Sequence, residues 1–314
     1  MHDLLLALPL VVSVALGVVV IVQGKRLSVL RRRFRRAMFV GPESHLRLQK
    51  QVYDRLAAAE CRARGIVPQL ELEFRSEWGE DVLLYDLFDG RETGVYVEVG
   101  ALDGRHTSIT WVFEALGWTG LLVEPIPERF EECRKSRPNS RVVQAALGAA
   151  GSGGTTSMLV PTDAYFQPSA HREGANAHAE HIRRLETAGA SFRRIDVPLT
   201  TMDAALGHAG FDRVDFAIID VEGAELDVLR GFDLARFRPR ALIVEDLTLG
   251  KDDAVAAHLR GNAYREVMWL GANRVYIRED EPELLRRAGR LAETVYSPLV
   301  RPKGHPDIAL HDLR

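Results

Sequence analysis

The sequence predicts an α/β fold: a Rossmann-like, mostly parallel seven-stranded sheet with a C-terminal antiparallel hairpin, preceded by an N-terminal transmembrane helix. Three observations carry this. Five short runs rich in Val, Ile and Leu between residues 94 and 245 alternate with segments of helical period, which is the pattern of successive βα units. Two further runs, 264–270 and 274–278, are joined by a turn around Gly271, the mark of a hairpin. Residues 4–22 are almost wholly apolar, close to the roughly 20 residues that span a bilayer as a helix.

Taken in order, the apolar run has nothing basic before it except the terminal amine, and Asp3 is acidic, which does not suit a cleaved signal peptide. Lys25, Arg26 and five arginines between 31 and 36 follow it. The positive-inside rule keeps such a flank cytoplasmic, so the expectation is a single-pass anchor with its N-terminus out and the body of the chain in the cytoplasm. The same cluster is suited to anionic lipid. Leu46, Gln49, Val52, Leu56 and Ala59 recur at helical spacing, so 43–64 reads as a helix, closed by Gly65 and Pro68 and packed on the domain that follows. Residues 76–88 read as a helix with Glu80 and Asp81 at its start.

Strands are then expected at 94–99, 119–124, 141–146, 214–220 and 240–245. Helices are expected at 107–116, 127–136, 224–231 and 252–260. A Gly/Ser/Thr-rich loop at 148–157 opens an insertion reaching to about 194, and 197–206 reads as a short edge strand passing into a helix. This order of elements is that of the seven-stranded class I methyltransferase architecture. The domains are read as 1–24 (transmembrane helix), 25–75 (basic juxtamembrane segment and helical stalk), 76–280 (catalytic domain) and 281–314 (C-terminal helix and tail).

Composition excludes some classes. A net charge of -3 over 314 residues gives no general attraction to nucleic acid. The two cysteines, Cys61 and Cys133, stand in no metal-ligand spacing and form no disulfide framework. His178 and His181 make a His-x-x-His pair in the insertion, near His171, but the further ligands a zinc site needs are not evident, and no metal is assigned.

Ligands of an open α/β sheet sit beyond the carboxyl ends of its strands. The stretch 96–104 runs from a strand through Gly100, Asp103 and Gly104, with Glu98 two residues before the first glycine. The spacing Gly-x-x-x-Gly is not the dinucleotide fingerprint. Glu98 and Asp103 would repel a pyrophosphate but suit a cationic amino-acid moiety, which points to S-adenosyl-L-methionine. Glu124 ends the second strand at the distance expected of an acid that accepts from ribose hydroxyls. Gln144 and Ala145 end the third. After the fourth, Asp220, Glu222 and Glu225 stand around one glycine turn. Close acids raise one another's pKa, and Glu222 or Asp220 is the candidate base for an acceptor hydroxyl. Glu225 also suits a first helical turn on dipole grounds alone. A divalent metal is the other use such a cluster could have. His106 reads as a surface histidine beside the glycine turn.

From about 76 to 270 the chain resembles the FkbM family of S-adenosylmethionine-dependent methyltransferases. The words that carry the resemblance are Val-Glu-Val-Gly-Ala-Leu-Asp-Gly at 97–104, Gly-Trp-Thr-Gly-Leu-Leu-Val-Glu-Pro at 117–125, Ile-Asp-Val-Glu-Gly-Ala-Glu at 219–225 and Ala-Leu-Ile-Val-Glu at 241–245. The third is the most specific, and Trp78-Gly-Glu-Asp also looks like a family segment. The resemblance implies cofactor contacts at Glu98, Gly100, Asp103, Gly104 and Glu124, with Asp220 at the mouth, and O-methylation of sugars, glycolipids or polyketide-like hydroxyls. Leu102, Arg105, His106 and the insertion depart from the family pattern and bear on the acceptor. The preferred function is a membrane-anchored methyltransferase acting on a hydroxyl-bearing glycan or small molecule, with membrane lipid as a partner and no nucleic acid. The alternatives are an inactive S-adenosylmethionine-binding membrane scaffold and a nicotinamide-dependent oxidoreductase, against which the glycine spacing speaks.

Overall fold

The computed structural model describes residues 42–91, 93–162, 170–172, 178–187 and 189–292. The expected transmembrane helix, its basic flank and the tail beyond 292 lie outside these residues. Among the described residues no helix is long and apolar enough to cross a membrane.

Seven strands form the main sheet: β1 (Val95–Val99), β2 (Thr119–Val123), β3 (Arg141–Val143), β8 (Phe216–Ile219), β9 (Ala241–Glu245), β10 (Tyr264–Leu270) and β11 (Asn273–Arg278). Their spatial order is β10-β11-β9-β8-β1-β2-β3. β1 pairs in parallel with β2 and β8, β2 with β3 and β8 with β9, while β11 enters antiparallel between β9 and β10. This is the mostly parallel sheet with one reversed strand that the sequence predicts.

The period of two along each strand sorts its side chains into two layers. On one face Tyr96, Phe216, Ile218 and Ile243 join Phe113 and Trp118. On the other, Val97, Val99, Ala217, Ile219 and Val244 meet Leu206, Val228 and Phe237. Buried on both faces, the central strands read as continuous apolar runs.

Two boundaries differ from expectation for physical reasons. The third strand does not run through 146. It leaves the main sheet after Val143, and β4 (Ala146–Leu147) pairs in parallel with β7 (Phe192–Thr200) instead. With β5 (Thr155–Pro161) and β6 (His171–Arg172) these make a second, four-stranded sheet in the order β4-β7-β5-β6. The expected edge strand before 206 is thus part of the insertion's own sheet, and the helix Met202–Ala209 follows it, capped by Thr201 Oγ1, which accepts from Ala204 N–H. The helix expected from 107 begins only at Trp111, because the Glu98 carboxylate accepts from Ser108 Oγ and Ile109 N–H and holds that stretch in a turn.

The helix Pro42–Arg64 packs on the sheet domain through Tyr53, Ala57 and Cys61, which lie in the same core as Phe74 and Tyr85. Tyr53 donates to Asp86 at 2.6 Å, and its ring meets Phe74 and Tyr85 edge-on. Glu80 and Asp81 begin the helix Glu80–Leu87. Asp81 accepts from Ser76 N–H and Val82 N–H, and Glu80 accepts from Trp78 N–H and Asn273 Nδ2, so both acids organise this corner. Truncating a buried aromatic of this kind costs about 3 kcal/mol. Tyr53→Ala should therefore lower the melting temperature by about 6–12 °C, measured by calorimetry; an unchanged value would mean the helix does not share the domain's core.

Candidate active site

The carboxyl ends of β1, β2, β8 and β9 surround a cavity of about 200 Å³, closed on one side by Met158, Ala170 and Arg172 of the insertion. Three residues in left-handed backbone other than glycine, Leu102 (φ 50°), Thr107 (φ 51°) and Glu222 (φ 56°), stand on the loops that line it. Such conformations persist only where the surroundings impose them.

Gly100 is fixed by close approach. Its φ is 86°, and a Cβ there would lie 1.9 Å from the Asp220 carbonyl oxygen. The loops after β1 and β8 therefore cross without a side chain between them, at the bottom of the cleft. Gly104 also has positive φ, but a Cβ there would meet Arg137, Cys133 and Ser136, so it seats the loop on the helix Pro127–Ser136.

Arg137 is the anchor below this loop. It is fully buried, and all its donor nitrogens are engaged: Nε with Glu114 Oε2 at 2.7 Å, Nη1 with Gly104 O and Ser108 Oγ, Nη2 with Tyr96 Oη and Thr110 Oγ1. Glu98 Oε2 lies 3.6 Å from Nη1. Desolvation opposes the charge, but Tyr96, Glu98 and Glu114 outweigh it and raise the guanidinium pKa.

The structure brings together Glu98, Gly100, Glu124, Ala145, Asp220 and Glu222 around the cavity. Gln144, Asp103, Gly104 and Glu225 are not among its lining residues. Asp103 instead caps its own turn, accepting from Arg105 and His106 N–H at 2.8 and 2.6 Å. Glu225 is 5% exposed and accepts from Val221 and Gly223 N–H through Oε1, which fixes the turn that presents Asp220 and Glu222. Glu98 lines the cavity, but its carboxylate already holds Ser108, Ile109 and Thr110, so it secures the loop. His106 reaches the cavity rim with a largely exposed ring. His171 is buried, with Nδ1 3.2 Å from Glu222 O; the helix His178–Thr187 carries His178 and His181.

Glu124 is 2% exposed, and its two oxygens accept from Ile126 and Leu102 N–H, each at 2.9 Å. Burial pushes its pKa up to about 7, against those bonds and the nearby Arg129. Asp220 and Glu245 form a carboxyl pair at the cavity floor. Burial raises both pKa values, and the hydrogen bond between them lowers that of Asp220 and raises that of Glu245. Glu245 Oε2 is buried and receives no hydrogen bond from a donor group among the described residues. Glu245 was legible only as an acid at a strand end. Arg137, between Ser136 and Pro138, carries no local signal of burial, and the wall formed by Met158 and Arg172 depends on how the insertion folds back.

Carboxyl groups at the ends of β2, β8 and β9 suit a ligand bearing positive charge and disfavour a pyrophosphate, while Glu124 suits a vicinal diol. The residues present therefore fit S-adenosylmethionine, which carries an ammonium, a sulfonium and a ribose. Among the described residues no group of three or more His, Cys, Asp or Glu side chains is arranged to hold a metal ion.

Removing one partner of a buried ion pair leaves the others uncompensated, at about 3–5 kcal/mol. Arg137→Met should destabilise the protein by that amount in urea unfolding; a cost within 1 kcal/mol, roughly that of an exposed pair, would refute its anchoring role. Burial pushes the Glu225 pKa up to about 7. The folded state then holds this proton more tightly than the unfolded chain, so its stabilisation is complete below the ordinary carboxylate pKa and lost as pH rises through 7. Glu225→Gln keeps the accepting Oε1 and should gain about 1–3 kcal/mol over the parent at pH 8 relative to pH 5, read from melting curves. A parallel pH dependence in the two proteins would contradict this.

The description "Methyltransferase FkbM domain" matches residues 98–266. A segment of 107 residues is 31% identical to the AMB antimetabolite synthetase AmbE of Pseudomonas aeruginosa, and covers 32% of this chain but 5% of that protein. Similar solved structures include an O-methyltransferase from Bacillus cereus in complex with SAH, at 11% identity and TM-score 0.35, covering 79% of this chain and 97% of that one. The human methyltransferase 10 domain containing protein is similar at 13% identity and TM-score 0.36, covering 73% and 96%. Likeness at that distance has no bearing on the acceptor. The family match spans more than half of the chain and falls on the strands and loops that build the cavity: the protein belongs to the FkbM family of methyltransferases, with S-adenosylmethionine as its cofactor.

Proposed function

We propose that this protein methylates a hydroxyl oxygen on a sugar, glycolipid or related metabolite, working from the cytoplasmic face of a membrane to which residues 1–24 anchor it. The carboxyl pair Asp220–Glu245 carries the reading. An alcohol must give up its proton as its oxygen is alkylated, and burial sets Asp220 at a pKa of about 6, ionised at neutral pH yet basic enough to accept that proton. Burial first, then the charges of Asp220, Glu222 and Glu225, hold Glu245 well above the ordinary carboxylate range, so the two groups titrate as a pair.

Bound S-adenosylmethionine supplies an electrophilic methyl carbon on a sulfonium. The chain's residues divide the remaining work. Glu124 accepts from the ribose hydroxyls, the Gly100 backbone lets the cofactor approach the strand end, and Asp220 takes the acceptor's proton at a carboxylate oxygen. Met158 and Arg172 form the wall beside which an acceptor enters. Alignment of the acceptor oxygen is the larger contribution and the base the smaller.

The full chain in detergent, titrated with S-adenosylhomocysteine and assayed for methyl transfer to hydroxyl-bearing glycans and lipids, tests this. Turnover should rise with pH through about 6 and then level off. Asp220→Asn should lower kcat about 100-fold or more with product affinity retained. If Glu222→Gln is the variant that loses turnover, the base is Glu222. Binding without transfer to any hydroxyl would leave the scaffold reading in its place.

A further inference from the structure

We infer that the rim of the sheet on which the active-site cleft opens is the face laid against the lipid bilayer, so that the acceptor hydroxyl is presented by a membrane-embedded molecule. This rests on the anchoring proposed above and adds an orientation to it.

The direction of the helix Pro42–Arg64 decides the matter. Its 23 residues make a rod about 34 Å long. Near its start, Leu46 Cδ1 would be 2.9 Å from a Cβ at Gly79, and Lys50 donates to the Ser76 carbonyl. The segment it meets there belongs to the carboxyl rim. The Trp78 ring covers Gly271 in the β10–β11 turn, Asn273 Nδ2 donates to Glu80 at 2.7 Å, and Asn273 pairs with Glu245 at the end of β9. Glu77, next to Trp78, lines the cavity itself. At the other end Arg64 donates to the Gly90 carbonyl at 3.0 Å, beneath the start of β1. The helix thus runs against the parallel strands, and the chain that precedes it enters beside the cleft mouth. That chain consists of the apolar run 4–22 and the basic flank 25–36, with only five residues, 37–41, between the flank and the helix. Even fully extended they reach about 18 Å, half the length of the helix. A membrane at the basic flank therefore lies on the cleft side of the domain.

The surface at that rim has the matching chemistry. Trp78 is 41% exposed and Leu48 46% exposed, although both are large and apolar. Arg47 beside Leu48 and Lys251 in the loop after β9 are exposed cations. Exposed acids stand there too, Glu77 beside Trp78 and Asp252 and Asp253 beside Lys251, so it is the exposed indole, a side chain suited to the membrane interface, that marks this rim. Val67, the other exposed large apolar residue among the described ones, lies beyond Arg64 at the far end.

Trp111, Trp118 and Trp269 are all buried, which leaves Trp78 as the tryptophan a lipid-borne quencher can reach. The full chain reconstituted in phosphatidylcholine–phosphatidylglycerol vesicles brominated near the top of the acyl chain should lose part of its indole emission, and Trp78→Phe should abolish that loss. Val67→Ser should leave it unchanged. Vesicle-bound protein with no quenching, or with equal quenching in Trp78→Phe, would overturn the orientation while leaving the anchoring intact. Protein that does not float with the vesicles would overturn both. Binding of S-adenosylhomocysteine, which should be unchanged in Trp78→Phe, verifies that the variant is folded.

Discussion

A single buried guanidinium holds the catalytic end of this molecule together. Arg137 reaches from the end of the helix Pro127–Ser136 under the loop that follows β1, and its donors bind the carbonyl of Gly104 and the side chains of Ser108, Thr110, Tyr96 and Glu114. Arginine suits this task because its five donors lie in one rigid plane. Lysine could not reproduce the fork. The loop carries Gly100 and Leu102, and Leu102 in turn donates to Glu124, so the geometry of the cofactor end depends on a residue that does not line the cavity.

The same network accounts for the position of Glu98. An acid in the middle of an apolar strand would ordinarily cost several kcal/mol to bury alone. Here the strand's period of two places Glu98 on the face of Tyr96 and Arg137, where hydroxyls, a backbone N–H and the cation share its charge. The carboxylates left to face a ligand are those at the ends of β2, β8 and β9. They are raised towards neutrality by burial, so the site without ligand can hold protons that a cationic ligand would displace.

Much of this architecture was legible in the sequence. The main strands are continuous branched runs because both faces are buried, and the glycine turns at 96–104 and 220–225 mark the strand ends, although Glu98, Asp103 and Glu225 serve the turns themselves. What escaped detection is non-local. The break after Val143 could not be read, because Val142 to Leu147 is uniformly apolar apart from Gln144 and its two halves pair with partners about 80 residues apart in the chain. Glu225 reads in the sequence as a third site acid; the structure places it outside the cavity lining, accepting from its own turn, a contact set by backbone geometry that spacing does not reveal. Arg137 showed nothing of its burial because the groups it binds, between Tyr96 and Glu114, lie 23 to 41 residues away in the chain.

The insertion leaves and rejoins the methyltransferase body at neighbouring points. Ala146 and Leu147 lie alongside Leu199 and Thr200, and Gly148 N–H donates to the Thr200 carbonyl at 2.9 Å. The excursion also rests on the body elsewhere: Ala150 N–H donates to the Arg230 carbonyl, His171 Nδ1 lies 3.2 Å from Glu222 O and Arg172 pairs with Asp227, while the main sheet neither begins nor ends inside it. The insertion interrupts no parallel strand of the main sheet, and from it Met158, Ala170 and Arg172 reach the cleft. The strands of the main sheet and the wall that faces the cleft thus belong to two separate sheets of one chain, which meet through contacts such as that of Arg172 with Asp227.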